Sequence, residues 1–183
     1  GASILLDAKD TASCPDVLPL EWSGSGRGDY RESPLELVGE PADFRYTGYK
    51  IHEGGVSMAC GLPQAHDARE TLEITLSQPG AELTLFYTAF PTAIVRRTVL
   101  TNTGDKPLRL NKLMSSCVDL PGSYTMATFN GGWIAEMRRC DTPVGASKVV
   151  NESLTGSSSN RHNPGFLLYE PGATEDAGTV YGF

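Results

Sequence analysis

The chain has 183 residues, with 15 Lys and Arg against 22 Asp and Glu, for a formal net charge of -7. That balance is the opposite of the basic footprint that neutralises a phosphate backbone, which argues against nucleic acid as a partner. Gly 20 and Pro 12 indicate many turns in a chain long enough for one domain with its own core, short of the ~25–30% Gly and Pro of low-complexity sequences.

The first 21 residues carry neither the basic-then-apolar order of a secretory signal nor strong periodicity, and residues 22–33, W-S-G-S-G-R-G-D-Y-R-E-S, read as a polar, Gly-rich loop. Residues 44–51 read as a strand. Residues 70–77 alternate with period 2, placing Leu72, Ile74 and Leu76 on one face and Thr71, Glu73 and Thr75 on the other. After a turn at Gln78-Pro79-Gly80, residues 81–90 repeat the pattern with Leu83, Leu85 and Tyr87, predicting a hairpin. Residues 93–101 are β-branched and end at Asn102-Thr103-Gly104-Asp105, and pairing them with residues 107–118 predicts a second hairpin. Residues 122–129 and 133–140 flank Asn130-Gly131-Gly132, a turn signal because Asn and Gly tolerate positive φ, and predict a third. A second polar loop spans 151–164, followed by strands at 166–169 and 179–183. No segment sustains the apolar period of a helix, so the expected class is all-β, an antiparallel sandwich. No run reaches the ~18 apolar residues of a spanning helix, so no membrane partner is expected. The chain begins with Gly1 and ends in a β-rich segment where a turn should follow, so it is expected to be cut from a longer polypeptide.

Cys14, Cys60, Cys117 and Cys140 form no C-x-x-C pair and are expected to be free thiols. His52, His66 and His162 lie too far apart for a local ligand motif, so no metal is expected. Arg27-Gly28-Asp29 matches an adhesion tripeptide by chance, and Asn151-Glu152-Ser153 is a glycosylation acceptor only in a secreted chain. Glycoside hydrolysis needs two carboxylates at defined separation. Asp29 and Asp119 stand out, each in a loop or at a strand end beside aromatic or Gly residues, with a solvated turn acid as the alternative. Trp133 reads as a core or interface anchor at a strand start, or as a platform for sugar stacking.

Eight segments in order carry a resemblance: G-D-Y-R-E-S-P-L at 28–35, D-F-R-Y at 43–46, G-L-P at 61–63, E-T-L-E-I-T-L at 70–76, Y-T-A-F-P at 87–91, S-S-C-V-D-L-P at 115–121, S-S-S-N-R-H-N-P at 157–164 and A-T-E-D-A-G-T-V-Y-G-F at 173–183. Together they resemble the N-terminal β-supersandwich domain of glycoside hydrolase family 36 α-galactosidases, over about residues 22–183. The resemblance implies a fold like that of galactose mutarotase, with the chain forming one truncated N-terminal domain over 1–183. It also implies that a catalytic (β/α)₈ barrel and a C-terminal β domain belong to the parent polypeptide and not to this chain. The family's nucleophile sits in a Lys-Trp-Asp motif, and neither Trp22 nor Trp133 stands in one, so no catalytic residue is expected here.

By the same resemblance, the loop at 28–31 reaches an active-site mouth. Asp29 would accept bonds from galactose hydroxyls, Tyr30 would line the next subsite, and Arg31 would brace the loop through a carboxylate. His162 and Asn163 would shape that site or cap a turn. The implied partners are a raffinose-type α-galactoside, the barrel of the same or a neighbouring subunit, and further copies in a homo-oligomer of the full-length enzyme. No cofactor is implied, and a cytoplasmic, bacterial setting is expected. Two other readings stay open: a stand-alone carbohydrate-binding sandwich, and a mutarotase-like epimerase with a His acid and a Glu base, for which His162 is the residue to test.

Overall fold

The computed structural model describes residues 22, 33–58, 61–154, 156, 159 and 161–183. These form ten strands and, among the described residues, no helix: β1 (Leu35–Leu37), β2 (Arg45–Glu53), β3 (Glu70–Gln78), β4 (Ala81–Ala89), β5 (Ile94–Asn102), β6 (Leu110–Leu113), β7 (Tyr124–Gly132), β8 (Ala135–Val144), β9 (His162–Tyr169) and β10 (Val180–Gly182). Every strand pairing is antiparallel. The chain divides into two compact units, Gly1–Asp119 and Leu120–Phe183.

The first unit is a four-stranded sheet in the order β2-β3-β4-β5 with a separate β1-β6 ribbon. Period-2 alternation puts Ile74, Leu76, Leu83 and Leu85 on one sheet face, and they form a core cluster with Leu35 of β1 and Ala42. Leu37 and Leu113 of the ribbon, with Trp22, Phe44, Leu72, Tyr87 and Leu100, close over it. The β3–β4 hairpin is as the alternation predicts: Gln78 pairs with Ala81 across Pro79 and Gly80, and Gly80 takes φ +80° where a side chain would strain the turn.

The hairpin predicted from β5 to residues 107–118 does not form. Thr103 and Gly104 donate to the Gly80 carbonyl, so the turn after β5 is tied to the neighbouring β3–β4 turn. β6 then pairs with β1, Leu35 opposite Leu113, and not with β5. The driving force is apolar burial: the ribbon carries Leu35, only 2% exposed, onto the open apolar face of the sheet.

The second unit is a sheet in the order β10-β9-β7-β8. Its buried side chains are Tyr124, Met126, Ala127 and Thr128 of β7. Tyr181 packs edge-on against Tyr124, and Phe183 stacks on Phe166 at 5.0 Å between ring centroids. The β7–β8 hairpin forms, but its turn lies beyond the predicted Asn130-Gly131-Gly132. Gly132 pairs with Ala135, so Trp133 and Ile134 make the turn, while Asn130 and Gly131 sit at an irregularity within β7. The glycine signal serves close approach: a Cβ on Gly131 would collide with the Ala135 carbonyl oxygen.

Candidate functional site

Asp29, Tyr30 and Arg31 lie outside the described residues; Trp22 and residues 33–35, on either side of them, are described. Trp22 packs on the core cluster that also contains Leu35. Ser33 Oγ donates to the Leu35 carbonyl at 2.7 Å, and the Met114 amide donates to the Pro34 carbonyl at 2.8 Å. The described residues on either side of 23–32 thus meet in one apolar core. The Trp22 indole Nε1 is buried with no hydrogen-bond partner among the described residues.

The opposite face of the four-stranded sheet carries a polar row that periodicity alone did not single out. Register places Lys50, Glu73, Phe86 and Arg97 side by side across β2, β3, β4 and β5. Glu73 Oε2 lies 2.7 Å from His52 Nε2, and its Oε1 lies 3.5 Å from Lys50 Nζ. The Arg97 guanidinium lies 4.1 Å from the Phe86 ring centre and donates to the Val56 carbonyl at 3.3 Å. Burial lowers the Arg97 pKa, while the charge of Glu73 opposes that shift. Two residues along β3 from Glu73, Thr71 donates to the Gly54 carbonyl at 2.7 Å and shares a 3.0 Å bond with Thr88. A general acid and base acting on a sugar stand on either side of it, whereas His52 and Glu73 are bonded directly to each other. Their geometry is that of a brace across the sheet.

In the second unit, Asn163 braces the start of β9. Its Oδ1 accepts from the Gly165 amide at 2.8 Å and its Nδ2 donates to Met137 Sδ at 3.5 Å, while Asn151 Nδ2 donates to the Asn163 carbonyl at 3.1 Å. His162 is exposed beside it. Trp133 is 86% exposed, which corrects its reading as a core anchor. Asp119 is exposed on the connection between β6 and β7. Cys117 and Cys140 are free thiols, as expected, whereas Cys14 and Cys60 lie outside the described residues.

A family model described as the glycosyl hydrolase family 36 N-terminal domain matches residues 2–183. The chain belongs to this family. The match extends the resemblance of residues 22–183 by some twenty residues towards the start. The chain is 34% identical over 179 residues to the bifunctional alpha-galactosidase/sucrose kinase AgaSK of Mediterraneibacter gnavus, covering 91% of this chain and 19% of that protein. Among solved structures, the alpha-galactosidase from Lactobacillus brevis superimposes with a TM-score of 0.82 at 27% identity, covering 99% of this chain and 26% of that one. A variant of the family 36 alpha-galactosidase AgaA from Geobacillus stearothermophilus, in complex with raffinose, gives a TM-score of 0.79 at 30% identity, with 97% and 27% covered. The all-β, antiparallel sandwich class is thus that of family 36 N-terminal domains. The chain spans about a fifth to a quarter of the length of the α-galactosidases it matches.

Proposed function

We propose that the chain is the non-catalytic N-terminal domain of a retaining α-galactosidase acting on terminal α-galactosides of the raffinose type. The observation that carries this is the family match over 2–183 within proteins roughly four to five times as long, which bear the name α-galactosidase. A raffinose complex of one similar enzyme supports the substrate class. In this reading residues 1–183 act as one domain, the enzyme is a homo-oligomer, and double displacement through a galactosyl-enzyme intermediate takes place in the portion that follows.

The domain's share of the chemistry is recognition. A carboxylate at Asp29 accepting two vicinal hydroxyls reads galactose against its epimers, because a misplaced hydroxyl leaves a desolvated acceptor unpaired. Tyr30 offers a flat face to the next sugar, and Arg31 holds the loop through a carboxylate. Such a reader must be held still, and anchoring of both flanks, Trp22 and Leu35, in one core supports that role.

The test is hydrolysis of a chromogenic α-galactoside by the intact polypeptide and by its Asp29→Ala variant. Activity in the intact protein, with kcat/KM lowered about 10–100-fold by the substitution, is the expected outcome. An inactive intact protein would sink the α-galactosidase reading, and an unaffected Asp29→Ala variant would sink the role of Asp29.

A further inference from the structure

The β7–β8 turn exposes two large apolar side chains at once. Trp133 is 86% exposed and Ile134 84%, with Met137 at 44% behind them. Ile134 and Met137 also hold positive φ, 63° and 56°. A β-branched residue in that region is a backbone outlier, of the kind that persists where surrounding structure enforces it and that clusters at functional sites. The tip is held from beneath: the Gly131 amide donates to the Arg161 carbonyl at 3.0 Å, and Asn163 reaches Met137. Its rim is polar, with Glu136, Arg138 and Arg161 exposed. An apolar centre with an indole at its tip and a charged surround is the pattern of a contact surface.

Sheet polarity places the tip at the same end as the chain's last strand. β7 and β10 both run antiparallel to β9, so the β7–β8 turn and residue 183 lie at the same end of the sheet. Phe183 exchanges both backbone bonds with Phe166, which pairs with Thr128. Trp133 lies five residues beyond Thr128, and at ~3.3 Å per residue and ~4.8 Å between strands it stands about 20 Å from Phe183. In the similar α-galactosidases, about three quarters of the polypeptide lies outside the stretch matched to this N-terminal domain.

We propose that Trp133 and Ile134 dock into the portion of the same polypeptide that follows residue 183, in an apolar socket rimmed by groups that accept from Arg138 and Arg161. This rests on the proposed function, in which the chain is one part of a longer α-galactosidase. A photoreactive benzoylphenylalanine replacing Trp133 in the intact polypeptide tests it, because a side chain this exposed tolerates replacement. The same probe at Glu175, exposed at the opposite end of the sheet, is the control. The expected result is an intrachain cross-link, at monomer mass, from position 133 to a peptide beyond residue 183, at least ten-fold stronger than from position 175. A cross-link at dimer mass would assign the tip to a second copy, and no cross-link would leave it in water. Either result overturns the proposal. Hydrolysis of a chromogenic α-galactoside by the same preparation separates the two ideas: activity without the intrachain cross-link refutes the docking alone, and a cross-link without activity refutes the α-galactosidase reading alone.

Discussion

Leu85→Ala is the sharpest test of the core that fixes both flanks of the loop bearing Asp29. Leu85 is fully buried, pairs with Ile74 on one side and Thr98 on the other, and belongs to the cluster that receives Trp22 and Leu35. Truncation removes roughly three methylene equivalents, about 2.4 kcal/mol at ~0.8 kcal/mol each. A cavity that relaxes only in part brings the total to about 3–4 kcal/mol. The chain has two tryptophans, and Trp133 is 86% exposed in these 183 residues taken alone, so there the emission of Trp22 reports on this core. In a Trp133→Phe background, urea unfolding followed by Trp22 fluorescence should show the full loss, and thermal unfolding should shift by about 10 °C or more. Leu154→Ala, at a side chain 88% exposed, should stay within about 0.5 kcal/mol. A loss under 1 kcal/mol for Leu85→Ala, or equal effects at the two sites, would refute a close-packed core around the β3–β4 hairpin.

Thr71→Val leaves the Gly54 carbonyl and the Thr88 hydroxyl without their partner at a fully buried position and should cost about 1–3 kcal/mol in urea unfolding. Adding Thr88→Val should then cost much less than it does alone, because the shared bond is already gone. Glu73→Gln removes the charge facing His52, Lys50 and Arg97 and should destabilise the chain by about 1–2 kcal/mol while leaving kcat/KM of the intact polypeptide unchanged; a catalytic loss would mean that the row is more than a brace. Gly131→Ala forces its Cβ against the Ala135 carbonyl and should raise amide exchange across residues 130–140 at a cost of roughly 2 kcal/mol. Hydrogen bonds from Lys112 and Asn111 hold the Glu36 carboxyl below its ordinary 4.5, so its stabilising contribution is present above that value and lost as the pH falls through the lowered one. Acid titration of stability should therefore be steeper below about pH 4.5 in the native chain than in Glu36→Gln.

Strands whose two faces differ in polarity were legible from the sequence. β3 and β4 read out directly, because Leu72, Leu76 and Leu83 alternate with polar residues and Pro79-Gly80 permits a single kind of turn. Where a glycine signal has two structural uses, periodicity does not choose between them. Asn130-Gly131-Gly132 serves a close backbone approach inside β7, and the turn falls on Trp133 and Ile134, residues no turn preference selects. β6 reads as a hairpin partner of β5 by proximity, but its pairing with β1 follows from burial of Leu35 against a sheet that the local sequence does not display. β1 itself has three residues and follows a proline, too little for a period. The His52–Glu73 bond joins residues 21 apart, on adjacent strands whose register becomes definite only once the apolar faces align. Asp29, Tyr30 and Arg31 came from resemblance to a family, since a Gly-rich loop has no periodicity from which a role can be read.

Glu73 is unsuited to sugar recognition because its partners enclose it. Both Glu73 oxygens face partners, Oε1 toward Lys50 and Oε2 toward His52, so an incoming sugar hydroxyl would have to displace one of them from a sheet face that Arg97 and the loop after β2 already crowd. A reader of hydroxyls needs the reverse: acceptor oxygens free until the ligand arrives, on a loop whose ends do not move. Trp22 and Leu35, the described residues that bracket Asp29 in sequence, share one core. The charged residues of this sheet face therefore serve rigidity, and the proposed reading assigns sugar recognition to Asp29 and not to Glu73.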